Sequence, residues 1–125
     1  MQLTVIAGAI GFVIVTAGQC LAQDAAAGEK VFAKCKACHV VESDTNKIGP
    51  SLKGVVGRTA GTHAGFKYSK AMVEAGEKGT VWSEETLAAY LRDPKAYIKG
   101  NKMAFVGLKK DEDLADVIAY LKQFP

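Results

Sequence analysis

Charge is missing from the start of this 125-residue chain. Residues 1–23 contain no Lys, Arg, Asp or Glu, and Asp24 is the first ionised side chain. Residues 5–15 form an apolar run, followed by Thr16, Ala17 and Gly18. Cys20-Leu21-Ala22 then puts small residues at the −3 and −1 positions of a cleavage site. The pattern predicts a cleaved signal peptide over residues 1–22 and one domain over residues 23–125. A retained anchor is the alternative, since the apolar stretch approaches the ~20 residues that span a bilayer. Only residues 23–27 would then separate the anchor from the functional segment, which is short for a tether. A lipoprotein site at Cys20 is disfavoured by the bulky Gln19. The expected location is therefore the periplasm, with no stable membrane insertion after cleavage.

Other shortages narrow the class. There is no internal repeat, which excludes a solenoid. With 49% hydrophobic and 23% charged residues, disorder is excluded as well. The net charge of +3, from 16 basic and 13 acidic groups, is modest, and no nucleic-acid partner is expected. No convincing strand is present.

Helices are what remains. Asp24 is a good N-cap for a first helix over about residues 24–37, with Val31, Phe32, Cys35, Cys38 and His39 on one stripe. Residues 42–65 read as loop, with turns at Gly49-Pro50 and around Gly61. A short helix covers residues 69–75 and stops at Gly76. Another begins at Ser83, buries Leu87, Tyr90 and Leu91, and ends before Pro94. The last begins near Asp111, where three acids complement the helix dipole. Its apolar stripe is Leu114, Val117, Ile118 and Leu121. The expected fold class is all-α: three main helices plus a short one, joined by long loops.

Histidine and cysteine are scarce, and most of them stand together in Cys35-Lys36-Ala37-Cys38-His39. Two thiols three residues apart on a helical turn can add to the two vinyl groups of one haem. The histidine that follows can then reach the iron. A thioredoxin-like redox pair would want a βαβ context, which is missing. A zinc site would want two further ligands, and His63 is the only other histidine in the chain. One covalently attached haem c is the expected cofactor.

The iron needs a second axial ligand. Met72 lies on the short helix, where a thioether most simply fills core. Met103 follows Gly100-Asn101-Lys102 in a segment without helical period, from which a sulphur can swing onto iron. Met103 is favoured. With His39 and Met103 both bound, no position is left for substrate, and no enzyme activity is expected.

The chain resembles the class I c-type cytochromes of the bacterial cytochrome c2 and mitochondrial cytochrome c group over roughly residues 28–121. The resemblance is carried by the attachment motif, Gly49-Pro50, Gly57-Arg58 and Gly65-Phe66-Lys67-Tyr68-Ser69. It continues through Thr80-Val81-Trp82, Tyr90-Leu91, Asp93-Pro94-Lys95-Ala96-Tyr97-Ile98 and Gly100-Asn101-Lys102-Met103-Ala104-Phe105. It implies the cytochrome c fold, wrapped around the haem, with Met103 as distal ligand and the Pro50 carbonyl bonded to the other nitrogen of His39. Arg58, Tyr68, Trp82 and Asn101 map onto positions that hydrogen-bond or neutralise the haem propionates, and Tyr90 onto one packed against the axial methionine. Gly28 and Phe32 would meet Val117 and Tyr120 where the first and last helices cross. Two departures stand out: Lys99 where proline is usual, and Asn101 in place of a frequent threonine.

The function so implied is a monomeric single-electron carrier between membrane redox complexes, in a respiratory chain or serving a photosynthetic reaction centre. Its expected partners are the acidic docking faces of a cytochrome bc1-type complex, an oxidase or a reaction centre. Lys34, Lys36, Lys95, Lys99, Lys102, Lys109 and Lys110 fall in the segments that must surround the haem. A haem enzyme or gas sensor, with Met103 displaced, and a permanent dehydrogenase subunit are the competing readings.

Overall fold

The computed structural model describes residues 23–125, so the signal peptide expected over residues 1–22 lies outside the described residues. Asp24 caps the first helix, α1 (Ala25–Phe32), its carboxylate accepting from the N–H groups of Ala26 and Ala27 at 2.9 and 3.2 Å. The helix stops at Phe32, five residues short of the expected end. The Phe32 carbonyl accepts from the N–H groups of both Cys35 (2.7 Å) and Lys36 (3.2 Å), and the chain winds on as tight turns. The Cys38 N–H donates to the Cys35 carbonyl at 3.1 Å. Bonds of this i-to-i+3 kind eclipse the side chains they join, which stacks the two thiols on one side.

The second helix, α2 (Lys70–Glu77), starts from a Ser69 hydroxyl that accepts from the Met72 N–H at 3.1 Å. It runs through Gly76, the expected stop. Gly76 instead lies so close to the Ala60 carbonyl that a side chain there would overlap it. Gly79, at φ +101°, ends the helix: its N–H donates to the Gly76 carbonyl and the Thr80 N–H to the Ala75 carbonyl, both at 3.0 Å. That is the paired-bond closure in which a left-handed glycine follows the last helical turn.

Ser83 and Thr86 cap α3 (Glu84–Arg92) reciprocally. The next element was not expected. Asp93-Pro94 reads as a helix stop, yet the Asp93 side chain also accepts from the Ala96 N–H and Pro94 takes the first helical position of α4 (Pro94–Tyr97). Proline suits that position because its missing N–H would have no partner there. The last helix, α5 (Asp111–Leu121), buries Leu114, Val117, Ile118 and Leu121 as its spacing predicts.

The core is where α5 crosses α1. Gly28 is buried against the Asp116 carbonyl, and a Cβ on it would stand 2.9 Å from Tyr120 Cβ. The rings of Phe32 and Tyr120 lie 5.2 Å apart. Among the described residues there is no strand, only an isolated bridge between Thr59 and Val81. Backbone bonds from Gly57 to Trp82 (2.6 Å), Trp82 to Arg58 (2.8 Å) and Ala60 to Thr80 (2.9 Å) fasten the long loop to the approach of α3.

Candidate haem site

His39 stands just after the turns that carry Cys35 and Cys38. Its N–H donates to the Cys35 carbonyl at 3.0 Å, and the Gly49 N–H returns to the Cys38 carbonyl at 2.8 Å. The loop is thereby folded back over the imidazole. His39 Nδ1 lies 2.7 Å from the Pro50 carbonyl oxygen. A carbonyl only accepts, so Nδ1 carries the proton and Nε2 keeps its lone pair free for a metal. Gly49 lies flat against the ring: a Cβ there would sit 2.8 Å from Nδ1 and 2.9 Å from Nε2. The sequence marked Gly49 as a turn residue. Its closer duty is to give the imidazole room.

Electrostatics favour a neutral, ligating histidine. Burial lowers the His39 pKa, the bond to Pro50 opposes that, and the Lys47 charge lowers it further. The Cys35 thiol is pushed up, first by burial and then by Cys38, with Lys34 acting the other way. Both thiols are free and partly buried. Among the described residues no cluster of three or more His, Cys, Asp or Glu side chains is placed to hold a metal. Two stacked free thiols beside one imidazole with an open Nε2 are the donor set that a covalently attached haem requires, and they fit it.

Burial does not separate the two candidate methionines, since both are partly buried and packed on the core. Their backbones do. Met72 is held within α2, whereas Met103 belongs to a strap of irregular chain over residues 101–110. The far end of the strap is fixed to the end of α3: Leu108 N–H donates to the Leu91 carbonyl at 2.8 Å, and Lys109 Nζ to the Arg92 carbonyl at 2.6 Å. The near end is fixed through Asn101, whose Oδ1 accepts from the Met103 N–H at 3.0 Å.

The remaining expected residues fall into two groups. Trp82 and Tyr90 are buried with ring centroids 4.9 Å apart, and Tyr97 joins them at 6.5 and 6.2 Å. Burial pushes the Tyr90 phenol up to about 12. Arg58 and Tyr68 serve the loop: Arg58 donates to the carbonyls of Ser51 (2.9 Å) and Lys53, while the Tyr68 hydroxyl accepts from the His63 N–H at 3.1 Å. Three of the five guanidinium N–H groups of Arg58 are left beyond those two bonds. Asn46 staples the same loop, taking the Ser51 N–H and giving to the Ala64 carbonyl, both at 3.0 Å. Nothing in its local sequence marks it out.

The profile of the cytochrome c family matches residues 25–125. The chain is 51% identical to cytochrome c2 of Afifella marina over 100 residues, 79% of this chain and 81% of that one. It is 56% identical to cytochrome c of Chlamydomonas reinhardtii over 104 residues, covering 82% and 90%. Among solved structures it is similar to cytochrome c2 from Rhodospirillum centenum, with a TM-score of 0.78, 44% identity and coverage of 81% and 98%.

Proposed function

This chain belongs to the cytochrome c family, and from that premise we propose that it is a periplasmic single-electron carrier with His39 and Met103 as axial ligands. Its cofactor is one covalently bound haem c, which supplies the one-electron iron couple. Cys35 and Cys38 hold that group through thioether links.

The observation that carries the reading is the His39–Pro50 bond. It fixes the imidazole tautomer, leaves the Nε2 lone pair on the ring edge opposite Pro50 and strengthens the ring as a ligand. Met103 completes the ligand set from a strap pinned at both ends, and two protein ligands leave no site for substrate. The protein is therefore a carrier and not an enzyme. By the family resemblance, Tyr90, packed beside Trp82, would lie against Met103, and Arg58, Tyr68 and Trp82 would serve the propionates.

Export is supported by the charge-free residues 1–23 and the small residues before Gln23. Among the described residues no helix is long and apolar enough to cross a membrane. The partners are acidic faces of larger redox proteins: a bc1-type complex, an oxidase or a reaction centre. The exposed lysines of residues 34–36, 95–102 and 109–110 are the complementary charges.

Spectra of the oxidised protein test the reading. The near-infrared sulphur-to-iron band should vanish in Met103→Ala and survive in Met72→Leu. Cyanide or nitric oxide should bind Met103→Ala far faster than the wild type. A band that survives Met103→Ala removes Met103 from the ligand set, and rapid cyanide binding by the wild type points to a sensor instead.

A further inference from the structure

Asn101 is buried, and all four of its hydrogen-bonding positions are occupied. Its Nδ2 donates to the Pro94 carbonyl at 2.7 Å and to the Ile98 carbonyl at 2.9 Å. Its Oδ1 accepts from the Met103 N–H at 3.0 Å and, more weakly, from Lys95 Nζ at 3.4 Å. The partners fix the orientation of the amide, because two carbonyls can face only the NH2 and a backbone N–H can face only the oxygen. A propionate carboxylate is an acceptor and requires a donor. Asn101 has none left.

We infer that Asn101 is a positioning residue for Met103: its side chain ties the methionine strap to both ends of α4 and does not bind a propionate. The inference rests on the reading of Met103 as axial ligand. Each partner of the amide has a structural reason to be there. Pro94 opens α4 and Ile98 closes it; each carbonyl already accepts one backbone N–H, Pro94 from Ile98 at 3.1 Å and Ile98 from Asn101 at 3.2 Å, and the amide takes the second lone pair of each. Gly100, at φ +88°, turns the chain so that residue 101 points back at them. Lys95 Nζ also reaches the Asn101 backbone carbonyl at 2.5 Å, holding the same residue from its other side. A threonine hydroxyl, with one donor, could not join Pro94, Ile98 and Met103 together.

The test uses the holoprotein. Asn101→Asp is isosteric but turns a second oxygen toward two carbonyls, and Asn101→Ala removes every bond. In both, imidazole affinity for the oxidised protein should rise about tenfold, the effect of orphaning one buried hydrogen-bonding group near the ligand. The sulphur-to-iron band should disappear at lower denaturant than the global unfolding transition. Gly28→Ala, destabilising but remote, should leave imidazole affinity unchanged; this separates strap loosening from lost stability. In the wild type, both Asn101 side-chain amide protons should exchange slowly and show through-bond coupling to the Pro94 and Ile98 carbonyl carbons. Unchanged imidazole affinity in both variants overturns the inference. So does an Asn101 amide proton bonded to a propionate in the wild type, a measurement that holds even if a variant does not fold. A band retained in Met103→Ala would fault the ligand reading instead.

Discussion

The backbone N–H of Asp24 donates to Oδ1 of Asp116 at 2.9 Å, joining the cap of the first helix to a buried carboxylate of the last. Four residues on, Gly28 touches the Asp116 carbonyl from the same side. Cap and close approach therefore act at one crossing. Asp116→Ala should cost about 2 kcal/mol by removing a charge-assisted bond to a cap N–H. Gly28→Ala should cost about 2 kcal/mol by forcing the helices apart. Denaturant midpoints measure both, and a midpoint unchanged in Gly28→Ala would show that the crossing is loosely packed.

Gly49→Ala should disturb the haem site while leaving the helix crossing intact. A methyl group there pushes the imidazole off the Pro50 carbonyl. A histidine without that bond is a weaker donor and stabilises oxidised iron less, so the reduction potential should rise. Potentiometry of the purified variant gives the sign, and a fall in potential would contradict the argument.

Tyr90 makes stability fall with pH in one window. Its folded value of about 12 lies above the ordinary 10.0 because burial disfavours the phenolate. The unfolded chain therefore loses this proton first. The contribution is full below about pH 10 and is lost as pH rises towards 12. At pH 11 Tyr90→Phe should retain more of its pH 8 stability than the wild type, by about 1 kcal/mol. Parallel loss in the two proteins would mean that other groups set the alkaline limit.

Docking should depend on where the lysines lie. Lys36 and Lys102 are exposed beside the attachment turns and the strap, while Lys78 ends α2 near Glu74 and Glu77. A basic rim steers an acidic partner to the haem edge and raises the association rate more than the lifetime of the complex. Lys36→Glu and Lys102→Glu should slow second-order electron transfer at low salt, and Lys78→Glu should matter much less. The wild-type rate should fall steeply with ionic strength. A rate flat in salt, or three equal effects, would remove the rim from the docking step.

Local patterns were legible in the sequence, and long-range bonding was not. The stripe of α5 and the run from Cys35 to His39 depend only on near neighbours, so spacing alone revealed them. The bond from His39 to Pro50 joins residues eleven apart and came through family resemblance. Three errors share one cause. Ending α1 at Ala37, stopping α2 at Gly76 and overlooking α4 each meant assigning a residue its commonest duty. Gly76 is in fact a contact point against Ala60, and Asp93-Pro94 both ends one helix and begins another. The amide of Asn101 was beyond reach for a related reason: its partners are the first carbonyl and the C-cap carbonyl of a helix that the sequence did not announce.

The strap that carries Met103 is pinned at residue 101 and again at residues 107–109, where Gly107, at φ +119°, lies against the Arg92 carbonyl. Six residues separate the first pins, a tether of at most about 20 Å. Under the proposed ligation, a Met103 thioether that let go of the iron would not diffuse away. It stays at an effective concentration in or above the millimolar range, whatever the protein concentration. Recapture is then a unimolecular event on the loop-closure timescale of about 10–100 ns. An outside ligand at micromolar concentration would then meet a competitor that is always present, and the proposed coordination would be kept closed by kinetics as well as by bond strength.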